Sequence, residues 1–526
     1  MKKLTLDEIL YFGFFILLSI AKGLGLYEGQ KLFILLVIPA LLCGALKILL
    51  SSYTRRQWAG ILILLFLTGL VYVQSLELGI IFLMFTILGM KDISLKKIFR
   101  LGLWVWSVCA VVLCLASFTR LEHTVYRVAQ KLGLGFIFRW SLGFTHPNIL
   151  HITYLTLCAL ILYELADRFR LKHFAILMLG NVVVFLYSIS YTGFAIVTLL
   201  LTGAVYVKFR PRFALVEKIL ANLVLPGIIF ISFALPFMLY DPRFAAPLIK
   251  LNELVNTRIN IASFYLVPEC MSFFGVKMSY LAQIQYYLSI DSSYIWAFIH
   301  YGIVPFALLM LAYFILIADC TRKQRTRELL LVICFLCAGY TEPLLFNTSF
   351  KNVTLLFLGE LLFRQKENEE AYCLLPVVRK KLDGLTQKIW KKATSLSCFG
   401  WNLPEVFAGV RKYYHRQVLA AVAVCALIGI LFCGVLHKEP RGYVMPRTYT
   451  DWEEKSSVYL ESADDPAYAG YCVMNYRDAE TPMQIVEGNA VKLETVRYYV
   501  GSLLIGSLAG LLIGTGTVIL TDKERL

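Results

Sequence analysis

Residues 172–208, KHFAILMLGNVVVFLYSISYTGFAIVTLLLTGAVYVK, hold two apolar runs, 172–189 and 191–207, that meet at Ser190. About 20 mostly apolar residues cross the roughly 30 Å hydrocarbon layer of a bilayer as a helix, and each run approaches that length. Basic clusters bracket the pair, Arg168 to Lys172 before it and Lys208 to Lys218 after it. The same pattern recurs in both directions. Fourteen such runs lie near 9–26, 31–50, 58–75, 76–90, 100–118, 147–165, 172–189, 191–207, 218–239, 292–318, 328–345, 348–364, 417–436 and 497–520. The expected fold is therefore all-α, a polytopic integral membrane protein of about 14 transmembrane helices.

Composition points the same way. Of 526 residues, 59% are hydrophobic and 16% charged, and the mean hydropathy is +0.68. Globular domains run at about 45–50% apolar and about 25% charged, so a soluble cytosolic enzyme is excluded. Lys and Arg number 51 against 35 Asp and Glu, a net charge of +16. In a membrane protein such a surplus belongs on one side and does not imply nucleic acid. Most of the 13 Cys fall inside apolar runs, where the thiol behaves as a small hydrophobe. Cys270 and Cys472 fall in polar segments expected to face outward.

Loops of one parity carry Arg55 and Arg56, Lys91 to Arg100, Arg168 to Lys172, Lys208 to Lys218 and Arg322 to Arg327. The positive-inside rule makes these cytoplasmic, and an even number of spans places both termini there too. Lys2 and Lys3 resemble a signal peptide's charged start, but the run that follows is expected to stay as an uncleaved first span. The sequence divides into a twelve-span core, 1–364, a basic cytosolic linker, 365–416, and a two-span appendix, 417–526. The linker's Lys and Arg suit anionic lipid headgroups, or a cytosolic partner. The appendix encloses an acidic extracytoplasmic hairpin, 437–496, with Asp451, Glu461, Asp478 and Glu494 among its acids.

The chemically informative residues are cations on the opposite, extracytoplasmic parity: Arg120, Arg127, Lys131 and Arg139 in 119–146, and Arg243, Lys250, Arg258 and Lys277 in 240–291. Positive charge outside is disfavoured, so these side chains call for an anionic partner. Arg139 opens the stretch Arg139-Trp-Ser-Leu-Gly-Phe-Thr-His-Pro-Asn148 before the sixth span. Its guanidinium, the His146 imidazole and the Asn148 amide can converge at an electropositive helix start, a nest suited to diphosphate. In the bland alternative Arg139 pairs with a carboxylate and His146 only caps the helix. Asp291, in Asp291-Ser-Ser-Tyr294, orients a hydroxyl or serves as an ordinary N-cap. Glu342, before a Pro at the end of the eleventh run, is a candidate general base or a partner for an outer Arg. A Walker loop, a dinucleotide fingerprint and an Asp-x-Asp pair are missing from the sequence, so neither nucleotide-driven pumping nor a metal or cofactor is expected.

The Arg139 to Asn148 motif, followed by Asp291-Ser-Ser-Tyr294, Tyr301-Gly302 and Glu342, resembles Wzy-type polysaccharide repeat-unit polymerases, relatives of the O-antigen ligases, over residues 1–364. The resemblance implies a metal-independent glycosyltransferase of the bacterial plasma membrane. It would act on the outer face, on glycans carried by undecaprenyl diphosphate, in capsule or exopolysaccharide assembly. It assigns Arg139 and Arg258 to the diphosphate; Arg120 and Arg243, from the outer cations, and Asn148 and Tyr294, from the motifs, are further candidate substrate contacts. His146 or Glu342 would be the base or acceptor-orienting group, with Asp291 beside them. Where many relatives carry a Ser-Arg-Thr-like turn after the seventh span, this chain reads Ser188-Ile-Ser-Tyr191, without the Arg. The appendix is similar in layout to polysaccharide chain-length regulators. Gly506, Gly510 and Gly514 line one face of the last span, a spacing for close helix contact within the chain, with another copy, or with other assembly proteins. The rival functions are a ligase sharing the same donor and a flippase of lipid-linked sugars. A flippase should show internal repeats and midplane charges.

Overall fold

The computed structural model describes residues 4–119, 126–131, 133–254, 257–277, 290–364, 370–395, 415–447 and 457–523. The chain is mostly helical. Its contacts group into two units, one of residues 1–119 and 142–388, the other of 120–141 and 389–526. The second unit thus takes in a segment that the sequence places between two spans of the core.

The first unit runs through α1 (Leu6–Gly23), α2 (Lys31–Leu50), α3 (Arg55–Ser75), α4 (Gly79–Leu88), α5 (Leu95–Thr119), α6 (Pro147–Leu165), α7 (Leu171–Ser188), α8 (Tyr191–Phe209), α9 (Leu215–Met238), α10 (Ala245–Leu254), α11 (Arg258–Tyr265), α12 (Ser293–Tyr301), α13 (Ile303–Arg322), α14 (Thr326–Thr341), α15 (Leu355–Phe363) and α16 (Pro376–Ser395), whose last turns pass into the second unit. Among the described residues, ten helices of the chain are long and apolar enough to cross a membrane. The other four expected runs form helices too, but α4, α14 and α15 are shorter, and α1 carries Asp7, Glu8 and Lys22 within 18 residues. The run expected at 292–318 is broken at Gly302 into α12 and α13. There φ is +86° and an added Cβ would lie 2.5 Å from the Phe273 carbonyl oxygen, so only Gly fits.

Sequence signals place the helix starts. Thr5 with Glu8 and Thr54 with Gln57 form capping boxes, which satisfy amides that have no intrahelical acceptor. Ser190 caps α8 through the Gly193 amide, turning the chain sharply between the two runs of 172–208.

The basic loops of shared parity gather at one end of this bundle. Lys47 bonds Asp7 at 2.7 Å and Arg100 bonds Glu164 at 2.7 Å. Arg325 reaches Glu360 at 2.9 Å and Lys323 reaches Asp319 at 2.8 Å, with Arg364 on both carboxylates.

The second unit contains β1 (Tyr126–Lys131), β2 (Gly135–Trp140), α17 (His415–Leu436), β3 (Tyr443–Pro446), β4 (Ser457–Val458), β5 (Cys472–Val473), β6 (Met483–Val486) and α18 (Asn489–Lys523). These strands depart from the all-α expectation. β1 and β2 form an antiparallel hairpin, and the others a sheet ordered β4-β6-β3-β5. Val128, Phe138, Met445, Val486 and Ala490 share one core. Trp140 donates its indole N–H to the Glu494 carboxylate at 3.0 Å, and Arg497 also bonds that carboxylate. Gly506 and Gly510 face α17 so closely that an added Cβ would lie 2.5 Å from the Cys425 and Ala421 carbonyls. The small-residue stripe is therefore occupied from within the chain.

Candidate functional site

At the end of the first unit away from its basic network, α6, α11, α12 and α14 bring four of the expected residues together. Pro343 forces Glu342 into an extended conformation, φ −141° and ψ 137°, which ends α14. The Glu342 carboxylate, buried, accepts from the Asn148 amide at 2.8 Å and from the Arg258 guanidinium at 3.4 Å, both at Oε1. Arg258 in turn faces Asp291, with Nε 3.4 Å from Oδ2. One cation thus sits between two carboxylates, one just before α12 and one at the end of α14.

Each member is held by local structure. Arg258 opens α11 after Thr257, whose φ is +59°. Asn252 Oδ1 accepts from the amides of Ile259 and Asn260 at 3.1 Å each, which fixes that helix start. Ser293 donates its hydroxyl to the Glu342 carbonyl at 2.6 Å and accepts from the Leu345 amide at 3.1 Å, tying α12 to the end of α14. Asp291 is not the cap of α12, a position held by Ser292. Burial pushes the Asp291 carboxyl above its ordinary range, opposed by the Arg258 charge beside it.

The remaining expected residues have these places in the structure. His146 caps α6, its Nδ1 accepting from the backbone N–H of Asn148 at 3.1 Å. In the neutral ring that leaves the proton on Nε2. Tyr294 is fully buried and donates its hydroxyl to the Leu336 carbonyl at 2.8 Å, bracing α12 against α14. Arg243 is exposed and paired with Asp241 at 2.6 Å. Arg139 belongs to the second unit, as a buried residue of β2 opposite Arg127. Arg120 lies outside the described residues.

One network escaped the sequence reading. His151, one turn into α6 from Asn148, is fully buried with Nδ1 3.0 Å from the Ser188 hydroxyl and Nε2 2.8 Å from Asn181 Oδ1. Asn181 donates its amide to Thr198 at 3.0 Å and to the Phe194 carbonyl at 3.2 Å, so Nε2 of His151 carries the proton. His151, Thr192, Thr341 and Glu342 line a hollow of about 10 Å³, room for about one water. A second hollow of similar size lies between Arg258, Ser232, Ser292 and Tyr340. The spacing of Asn148 and His151, three apart on one helix face, was the available signal.

The arrangement can bind an anion and move a proton. Arg258 offers a planar fork of donors, and Glu342 lies against it with Asn148 fixing its oxygen. Among the described residues, no group of three or more His, Cys, Asp or Glu is placed to hold a metal ion. In comparisons with known proteins, no family model, no curated protein and no solved structure matches this chain.

Proposed function

We propose that this protein is a membrane glycosyltransferase that polymerises oligosaccharide repeat units carried on undecaprenyl diphosphate, at the outer face of a bacterial plasma membrane. The observation that carries the reading is the Arg258 guanidinium held between Asp291 and Glu342, with Asn148 on the same Glu342 oxygen. The basic network at the other end of the unit supports the orientation, because Lys and Arg favour the cytoplasmic side.

In the proposed reaction an acceptor sugar hydroxyl attacks the anomeric carbon of the donor. A new C–O bond forms as the bond from that carbon to the diphosphate oxygen breaks, and the lipid diphosphate leaves with the electron pair. Arg258 stabilises the charge that grows on the departing oxygen, as preorganised donors do in a site shielded from water. Glu342 takes the hydroxyl proton, and Asn148 holds its carboxylate in place. Asp291 keeps Arg258 extended toward the substrate. His146, engaged with the backbone of α6, positions the helix start that carries Asn148.

The test is purified protein in lipid, given a lipid-linked repeat unit, with products separated by size. A ladder of products is expected. Arg258→Ala should cut the rate about 10²–10³-fold per folded molecule, the usual loss when one charge-stabilising donor is removed. A single transfer to a foreign acceptor would replace polymerase with ligase, and lipid-linked glycan crossing the bilayer unchanged would replace chemistry with transport.

A further inference from the structure

Among the described residues, the first unit holds three buried lysines that it treats in different ways. Lys47 is fully buried and saturated: its ammonium bonds the Asp7 carboxylate and the Ser51 hydroxyl at 2.7 Å each, and the Lys91 carbonyl at 2.8 Å. Lys22 and Lys351 receive no such treatment. Lys22, in the last turn of α1, is 8% exposed. Its ammonium donates to the Leu26 carbonyl at 3.3 Å and lies 4.4 Å from the centre of the Phe33 ring. Glu28, the acid that acts on it, stands on the exposed turn after α1 and makes no ion pair with it. Lys351, in the segment between α14 and α15, is 5% exposed, and its ammonium lies 5.1 Å from the centre of the Trp106 ring. Among the described residues it meets no carboxylate and no hydrogen-bond acceptor.

The two cations are neighbours. Trp106, from α5, is buried, and Gly23, next to Lys22, backs onto the same indole: a Cβ there would be 3.7 Å from its Cε3 atom. Lys22 is near enough to act on Lys351 electrostatically. Two like charges are thus buried close together, Lys22 against the Phe33 ring and Lys351 against the Trp106 ring, and no carboxylate is ion-paired with either among the described residues. An unpaired buried cation is strongly unfavourable, and cation–π contact returns only part of that cost. Ionisable residues kept at such positions usually face a ligand.

We propose that Lys22, Lys351 and Trp106 form a second anion subsite, which takes the phosphate groups of a prenyl diphosphate lipid. This rests on the reading above in one respect: a polymerase handles two lipid diphosphates at once, and a second subsite separate from Arg258 gives the acceptor its own grip. Lysines suit this role as point charges that hold phosphate without demanding bidentate geometry.

The test is equilibrium binding of labelled geranylgeranyl diphosphate to the full-length protein in lipid nanodiscs. Arg258→Ala protein should retain one class of sites, and Lys22→Met or Lys351→Met added to it should weaken that class about tenfold or more, a loss of about 1.4 kcal/mol. Lys31→Met, at an exposed lysine, should leave it unchanged. Lys351→Met should also raise the thermal stability of the ligand-free protein, since the cation it removes has no anionic partner among the described residues. Loss of all binding in Arg258→Ala alone, or unchanged binding in both lysine variants, overturns the subsite. So does binding loss accompanied by lower ligand-free stability, which marks Lys351 as structural. Equal displacement by inorganic diphosphate overturns the assignment to a lipid. Turnover is not needed for this measurement, so a protein that binds but makes no ladder sinks the polymerase reading while leaving the subsite standing.

Discussion

Arg258 ties the candidate site together, and its two carboxylates differ in what they do. Glu342 is also engaged by Asn148, whereas Asp291 is the group whose burial raises its carboxyl above the ordinary range. The sign follows directly. As pH falls, Asp291 takes up its proton earlier than an exposed Asp would, the Arg258–Asp291 pair is lost, and the guanidinium is no longer held between its two acids. Activity should therefore fall on the acid side at a pH above the ordinary Asp range, and Asp291→Asn should erase that limb while lowering the plateau. A pH–rate profile of both proteins checks this; an acid limb unchanged in Asp291→Asn would assign it to another group. Arg258, Asp291 and Glu342 were legible in the sequence because each is a charge where apolar or neutral residues prevail. His151 and Asn181 were not, because a neutral polar side chain inside an apolar run reads as filler until its partner on the next helix is known. Asn181→Leu should strand the His151 Nε2 proton in the interior, a defect worth about 1–3 kcal/mol, and lower the midpoint of thermal unfolding without touching Arg258.

Among the elements, hydropathy located helices in every apolar run of the sequence, although α10, α11 and α16 lie outside those runs. It did not give their lengths. Gly302 divides a run that reads as one span, and a Gly inside a hydrophobic stretch says nothing of the carbonyl that will press against it. The strands were hidden for another reason: in 119–146 the cations drew the reading, while the short aromatic and β-branched run in Gly135-Phe-Ile-Phe-Arg-Trp140 that makes β2 passed without notice. The glycine stripe of α18 was legible as a contact face, but its partner was not. Because α17 covers it, with the Val422 Cα 2.6 Å from where a Gly510 Cβ would stand, Gly510→Leu has to push the two helices apart. Overpacking of that kind costs about 1–3 kcal/mol or more. Disulfide trapping between cysteines placed on α17 and α18 should slow markedly in Gly510→Leu. Equal trapping rates would mean that the pair is not held by this face.

On the scale of the molecule, chain order and contact order disagree, and that disagreement bears on any attempt to dissect the protein. A linear reading makes 417–526 an appendix that can be removed, with polymer length as the readout for a role in chain-length control. Residues 120–141, however, leave α5 and return to α6 as part of the second unit, with Val128 and Phe138 in the same core as Met445, Val486 and Ala490. No periodicity or composition in either segment foretells this, because the pairing is between stretches separated by most of the chain. Removing 417–526 strips the hairpin of its buried neighbours, so a change in polymer length would report a damaged loop as readily as a lost regulator. Phe138→Ala, which empties a fully packed aromatic position and costs about 3–5 kcal/mol, isolates the effect without truncation. Limited proteolysis of membranes should cut within 126–140 and within 457–488 in Phe138→Ala and leave both protected in the parent. In the protein ending at residue 416 the hairpin should be cut as well. A hairpin that stays protected there has a fold of its own, and the length assay on the truncated protein would then test the appendix alone.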